Sequence, residues 1–236
     1  MPADDSAMGP PSGSSGMPGA PGGKMTSGTD GPTILGLLAF GLMSMLFGLS
    51  QLPGPYGSGF ITKSTFAFNV IWLPGGTVTG SMITLGGVVL ILAALLILFK
   101  GWGNFWGVSL FGYGAFWISW SGISPSLLNH VAFGYGTAGF AFLWVLFSLT
   151  FLISSMKHGW MTFIFYLVLT LSFVMLTVEF WQWGAWANKT PLNATIIPGT
   201  ELGIIGGLWI LTGFIAWYCG TARLTEQTYG KKILPG

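Results

Sequence analysis

The side chains able to do chemistry in this 236-residue chain are hydroxyls set at helical spacing inside apolar runs. In residues 105–123, which carry no charge, Ser109, Tyr113, Phe116 and Trp120 share one helical face with Gly112. In residues 160–180, Thr162, Tyr166, Leu169, Thr170, Phe173 and Thr177 form a second stripe, and in 33–52 Phe40, Ser44, Phe47 and Gln51 form a third. In hydrocarbon a hydroxyl needs a partner or a wet cavity, so these faces are expected to look inward, towards other helices or a solute path. Core packing accounts for the apolar members and for the glycines around Phe40; Thr hydroxyls can also bond their own backbone. It leaves Ser44, Gln51, Ser109 and Tyr113 to be satisfied elsewhere. No nucleophile with its base, no carboxylate pair and no His/Cys ligand cluster accompanies them. Neither enzymatic chemistry, catalytic residues, a metal nor another cofactor is therefore expected.

The elements that position these faces follow from composition. The chain is 52% hydrophobic and only 6% charged, against roughly 25% charged in soluble domains, which reads as an integral membrane protein. Twelve Trp and 19 Phe suit aromatic interfacial belts, and 38 Gly suit close helix contacts. A net charge of +2, scattered along the chain, gives no nucleic-acid footprint. One cysteine, Cys219, permits no internal disulfide.

Residues 1–31 contain 13 Gly or Pro and no apolar period, and are expected to be a disordered tail rather than a signal peptide. Six runs long enough to span then follow, at 33–52, 81–99, 105–123, 131–154, 160–180 and 202–222. The fold class is all-α: a polytopic membrane protein with six transmembrane helices in one domain, 32–222, and a C-terminal tail, 223–236. Residues 53–80 form a long connection in which 66–73 is too short to span and reads as interfacial or re-entrant. A turn is expected at 124–126 and a polar loop at 188–200, and Gly203 with Gly207 is expected to make a close contact of the sixth helix. Six spans put Lys24, Lys100, Lys157, Arg223, Lys231 and Lys232 on one side, and only Lys63 and Lys189 on the other. Both termini are therefore expected in the cytoplasm, on a plasma or inner membrane. Glu179 reads as an interfacial carboxylate reaching water at a helix end, and His130 and His158 as loop-edge residues.

Three ordered stretches carry a resemblance: LGLLAFG at 35–41, YGAFW at 113–117 and TEQTYGKKILP at 225–235, extended by FLW at 142–144 and Leu169-Thr170. Together, over residues 32–236, they are similar to the acetate uptake transporter family, the succinate-acetate permeases. The resemblance implies a six-helix protomer assembled as a homohexamer, each protomer carrying acetate, and in some members succinate, by proton-coupled symport. It also implies a pathway narrowed by Phe40, Tyr113 and Leu169, and the inward-facing stripes that hold these three offer Ser44, Ser109, Phe116, Tyr166, Thr170 and Phe173 as its lining. The chain departs from the pattern before the first helix: Gly31-Pro32-Thr33-Ile34 stands where the family has Asn-Pro-Ala-Pro, so an Asn amide is missing.

Every Lys and Arg lies at a run's end or in a loop, so a carboxylate crossing the bundle would meet no fixed cation there. A bare charge at mid-bilayer depth costs at least ~2.5–3.5 kcal/mol, and protonating a carboxylate of pKa ~4.3 at pH 6 costs roughly 2.3 kcal/mol. A proton-accompanied small carboxylate is thus a fitting solute, with Ser109, Tyr113 and Thr170 as hydrogen-bonding groups. Two other classes stay open: a channel for neutral solutes such as urea or short amides, and a structural membrane subunit.

Overall fold

The computed structural model describes residues 30–51, 77–101, 104–122, 130–189 and 202–235. Most of the 1–31 tail, the 66–73 segment, the 124–126 turn and nearly all of the 188–200 loop lie outside them. Every regular element among the described residues is helical: α1 (Asp30–Gln51), α2 (Thr77–Phe99), α3 (Asn104–Gly122), α4 (His130–Ser155), α5 (Trp160–Lys189) and α6 (Leu202–Tyr229). They pair as α1 with α6, α2 with α3 and α4 with α5, with α1 also against α2 and α5 against α6.

Five of the six are long and apolar enough to cross a membrane: Gly31–Leu49, Met82–Phe99, Gly134–Ser155, Trp160–Ala185 and Gly203–Tyr229. The exception is α3, whose serines, tyrosine and tryptophans lower its hydropathy. One face of the helix is turned into the bundle, since Ser109, Tyr113, Phe116, Trp117 and Trp120 are each at most 1% exposed, while Ser119 is on the outside. A helix whose polar face is covered by protein needs less apolar character than one bathed in lipid. Elsewhere the outward faces are plainly apolar, with Leu85, Leu143 and Ile153 at least 60% exposed.

Glycines set how closely the pairs approach. A Cβ on Gly134 of α4 would stand 2.4 Å from the Gly184 nitrogen of α5, and one on Gly114 of α3 would stand 2.8 Å from the Gly87 carbonyl of α2. Between α1 and α6 the close contacts are Gly48 with the Gly206 carbonyl and Gly41 with the Gly213 carbonyl. This corrects the expectation for Gly207. Gly207 looks into open space, because the inward face of α6 carries Ile205, Trp209, Thr212 and Ala216 instead.

Other helix limits also differ from the sequence reading, and α2 begins at Thr77, four residues before the expected 81. Helix α1 begins at Asp30, with Gly31 and Pro32 in its first turn, where a missing N–H breaks no helical bond. Helix α5 continues past Phe180 to Lys189, since Gln182 lowers hydropathy without opposing a helix and Gly184 packs against Tyr135. That extension moves Glu179 away from a helix end. Its side chain is only 6% exposed, so the water-reaching interfacial carboxylate is not what forms. Helix α6 runs on through residues 221–229, a stretch of ordinary helix formers, until Gly230 adopts φ +66 and ends it.

Candidate functional site

The three hydroxyl-bearing faces meet in the middle of the bundle. The Phe40 ring of α1 lies edge-on to Tyr113 of α3 at 5.4 Å between centroids, to Phe165 of α5 at 5.5 Å and to Trp117 at 6.2 Å. Tyr113 is stacked on Phe173 at 6.3 Å and packs edge-on against Phe147 at 5.3 Å. Phe116 meets Phe173 at 5.0 Å and lies parallel to Trp209 of α6 at 6.1 Å. Leu169 is fully buried in the same cluster. All nine residues singled out from the sequence, Phe40, Ser44, Ser109, Tyr113, Phe116, Tyr166, Leu169, Thr170 and Phe173, are 8% exposed or less.

The hydroxyls are distributed differently from the expectation. Tyr113 donates to Ser148 Oγ of α4 at 3.0 Å, Ser109 and Tyr166 bond each other, and Thr170 donates to the Tyr166 carbonyl at 2.7 Å. Thr177 likewise bonds the Phe173 carbonyl of its own helix at 2.8 Å. The three groups assigned to solute binding, on Ser109, Tyr113 and Thr170, are therefore engaged within the protein, because partners on α4 and α5 come within reach. Unpartnered groups occur beside them. Ser44 Oγ and the indole N–H groups of Trp117 and Trp209 are buried with no hydrogen-bond partner among the described residues. Trp117 packs against both Phe40 and Phe47, at 6.2 and 5.7 Å, so it lies beside the face on which Ser44 stands between those two rings. Trp209 follows at 5.5 Å from Trp117 and 5.0 Å from Phe47. The sequence reading missed Trp117 and Trp209 as site residues; on α3, Trp117 continues the face from Tyr113 at a spacing of four, which was the available signal.

Towards the end of the bundle where α1 begins and α6 ends, a cavity of about 250 Å³ opens. Its floor is Leu37 of α1 and Phe165 of α5, one turn before Phe40 and in contact with it through the Phe165 ring. Its walls bring in Trp106 and Thr162, His158 from the α4–α5 turn, Arg223 and Glu226 of α6, and Lys232 of the tail. The guanidinium of Arg223 lies 4.8 Å from the centre of the Trp106 ring, and His158 stacks on Phe105 at 4.1 Å. His158 is thus a cavity-wall residue. The charges were read only for their side of the membrane, since Arg223 and Trp106 meet only once α3 and α6 are placed.

No family model matches the chain. A protein of uncharacterised function from Methanothermobacter thermautotrophicus is 29% identical over 220 residues, 88% of this chain and 91% of that protein. Accumulation of dyads protein 2 of Saccharomyces cerevisiae is 27% identical over 74% of this chain, and the glyoxylate pathway regulator of Yarrowia lipolytica 27% over 72%. The matches take in 62% and 64% of those two fungal proteins, less than two thirds of their length. Among solved structures, the bacterial acetate channel SatP superposes with a TM-score of 0.64 at 21% identity, covering 86% of this chain and 97% of that one. The resemblance read from LGLLAFG, YGAFW and the tail is met at the level of fold: the chain is a multi-pass α-helical membrane protein with the fold of the bacterial acetate channel SatP.

Proposed function

We propose that the protein is an acetate uptake transporter, a succinate-acetate permease, that moves small monocarboxylates across a cell membrane through the interior of each protomer. The observation that carries this is the buried group of unpartnered hydrogen-bonding atoms, Ser44 Oγ and the Trp117 and Trp209 N–H groups, in an aromatic core. A buried polar atom without a partner costs about 1–3 kcal/mol, and a solute carrying carboxyl oxygens repays that while it passes. The fold shared with an acetate channel supports the same reading. In this proposal Phe40, Tyr113 and Leu169 form the narrow point and set the size limit. Ser44, Ser109, Phe116, Tyr166, Thr170 and Phe173 line the path on either side. The α3 helix is the sixth span, both termini are cytoplasmic, succinate is a second substrate, and protomers assemble as a hexamer.

Crossing an aromatic core as a bare anion is costly, so the acid is proposed to cross with its proton. Above its pKa the protonated fraction rises tenfold per unit fall in pH. Uptake of labelled acetate into proteoliposomes is expected to rise as external pH falls; a pH-independent rate would contradict proton coupling. Unlabelled propionate is expected to compete and urea not to. The reverse ranking would move the protein to the neutral-solute channels, and absence of any flux from the purified protein would make it a structural subunit.

A further inference from the structure

The cavity at the terminal end carries an excess of positive charge among the described residues. Arg223, the chain's one arginine, lies over the Trp106 ring at 4.8 Å and makes no ion pair among the described residues. Lys232 joins it on the cavity wall through a specific chain path. Helix α6 stops where Gly230 takes φ +66, the tail turns back, and the Pro235 carbonyl accepts a hydrogen bond from the Tyr218 hydroxyl at 2.8 Å. Glu226 is the opposing charge on the wall, and His158 the other titratable side chain contributed by a neighbouring element besides the Cys219 thiol. Counting Arg223, Lys232 and Glu226, two cations and one carboxylate, the wall has a formal charge of +1. A planar guanidinium pinned on an aromatic face presents paired N–H donors of fixed geometry, the arrangement that matches a carboxylate. The floor, Leu37 and Phe165, is apolar and touches the Phe40 layer. A volume of about 250 Å³ holds a short carboxylate with several waters.

We infer that this cavity is a carboxylate-binding site at the terminal mouth, in which Arg223 holds the carboxylate, Lys232 is brought in by the folded-back tail, and the apolar floor takes the short alkyl end. It rests on the transport reading and adds to it a place, on the terminal side of the aromatic core, where the acid is held in charged form. The tail is then part of the binding site rather than a free end.

Because Arg223 is the sole arginine, its occupancy can be read without measuring transport. Modification of the purified protein by 2,3-butanedione, a dicarbonyl little larger than acetate, would be followed as a single mass adduct. Acetate is expected to slow the adduct's formation several-fold and acetamide, its neutral counterpart, to leave it unchanged. Equal rates with and without acetate, or an arginine the reagent never reaches, would overturn the site. In proteoliposomes, with acetate presented at the terminal mouth, R223Q is expected to raise the half-saturating acetate concentration about tenfold with little change in maximal rate, R223K to recover part of that, and K232Q to raise it two- to threefold. A fall in maximal rate alone, common to R223Q and R223K, would mark Arg223 as structural and sink the inference. Loss of acetate flux in the wild type with protection intact would overturn the transport reading and leave the site. Intact flux without protection would overturn the site and leave the transport reading.

Discussion

At the level of Phe40 and Tyr113 the bundle is filled with rings and hydroxyls, whereas one turn nearer the termini it opens into a cavity walled by Arg223, Lys232 and Glu226. The same helices build both. In the middle, α1, α3 and α5 turn aromatic faces to one another and most hydroxyls are tied into inter-helix or backbone bonds. At the mouth, helix ends and a reversed tail supply long charged side chains that water can reach. Under the proposed function the contrast separates two tasks that one region performs poorly. A charge placed at mid-depth costs at least ~2.5–3.5 kcal/mol, so attraction belongs at the mouth, and discrimination by size belongs where rigid rings leave least room.

The largest effect is expected from breaking the frame that holds both regions. Gly134→Leu drives side-chain carbon into the Gly184 backbone, where even a Cβ would sit 2.4 Å from the nitrogen, and is expected to abolish recovery of monodisperse protein in size-exclusion chromatography. Gly207→Leu, which meets open space, is expected to elute as wild type. Equal behaviour of the two would mean that the helix pairing is not as described.

Next comes the size limit. Phe40→Ala removes a ring that contacts Tyr113, Phe165 and Trp117. It is expected to raise butyrate flux relative to acetate on the order of tenfold, at a stability cost of ~3–5 kcal/mol. Leu169→Ala is expected to act in the same direction more weakly. Unchanged selectivity in both would place the narrow point elsewhere.

The smallest effects separate engaged hydroxyls from unengaged ones. Ser44→Ala removes an atom with no partner, so the melting temperature is expected to hold while half-saturating acetate rises about fivefold, one hydrogen bond's worth. Tyr113→Phe deletes the bond to Ser148 and is expected to show the opposite pattern, losing ~1 kcal/mol of stability with little change in acetate dependence. Matching behaviour of the two variants would remove the distinction.

The inward faces were legible because a stripe such as Phe40, Ser44 and Phe47 is a property of one helix, and burial follows from it. Which hydroxyls are engaged was not legible. Tyr113 is satisfied by Ser148 and Ser109 by Tyr166, partners that only the packing of α4 and α5 against α3 brings near. The ends of α5 and α6 escaped a reading based on hydropathy, which stops at Gln182 or Arg223 although nothing there stops a helix. Glu179 was misplaced for that reason. The mouth escaped for a related one: sequence shows that Arg223 and Lys232 lie on one side of the membrane, but their shared cavity depends on the tail reversing at Gly230 and on Trp106 facing α6.

The central claim is that the acid passes the Ser44 level inside the protomer, and a thiol introduced there reads it directly. In a protein carrying Ser44→Cys and Cys219→Ala, modification by a small methanethiosulfonate reagent, confirmed by mass, is expected to abolish labelled acetate uptake into proteoliposomes, with acetate slowing the modification. Uptake that continues unchanged in the fully modified protein, or through one whose introduced thiol the reagent never reaches, would contradict it.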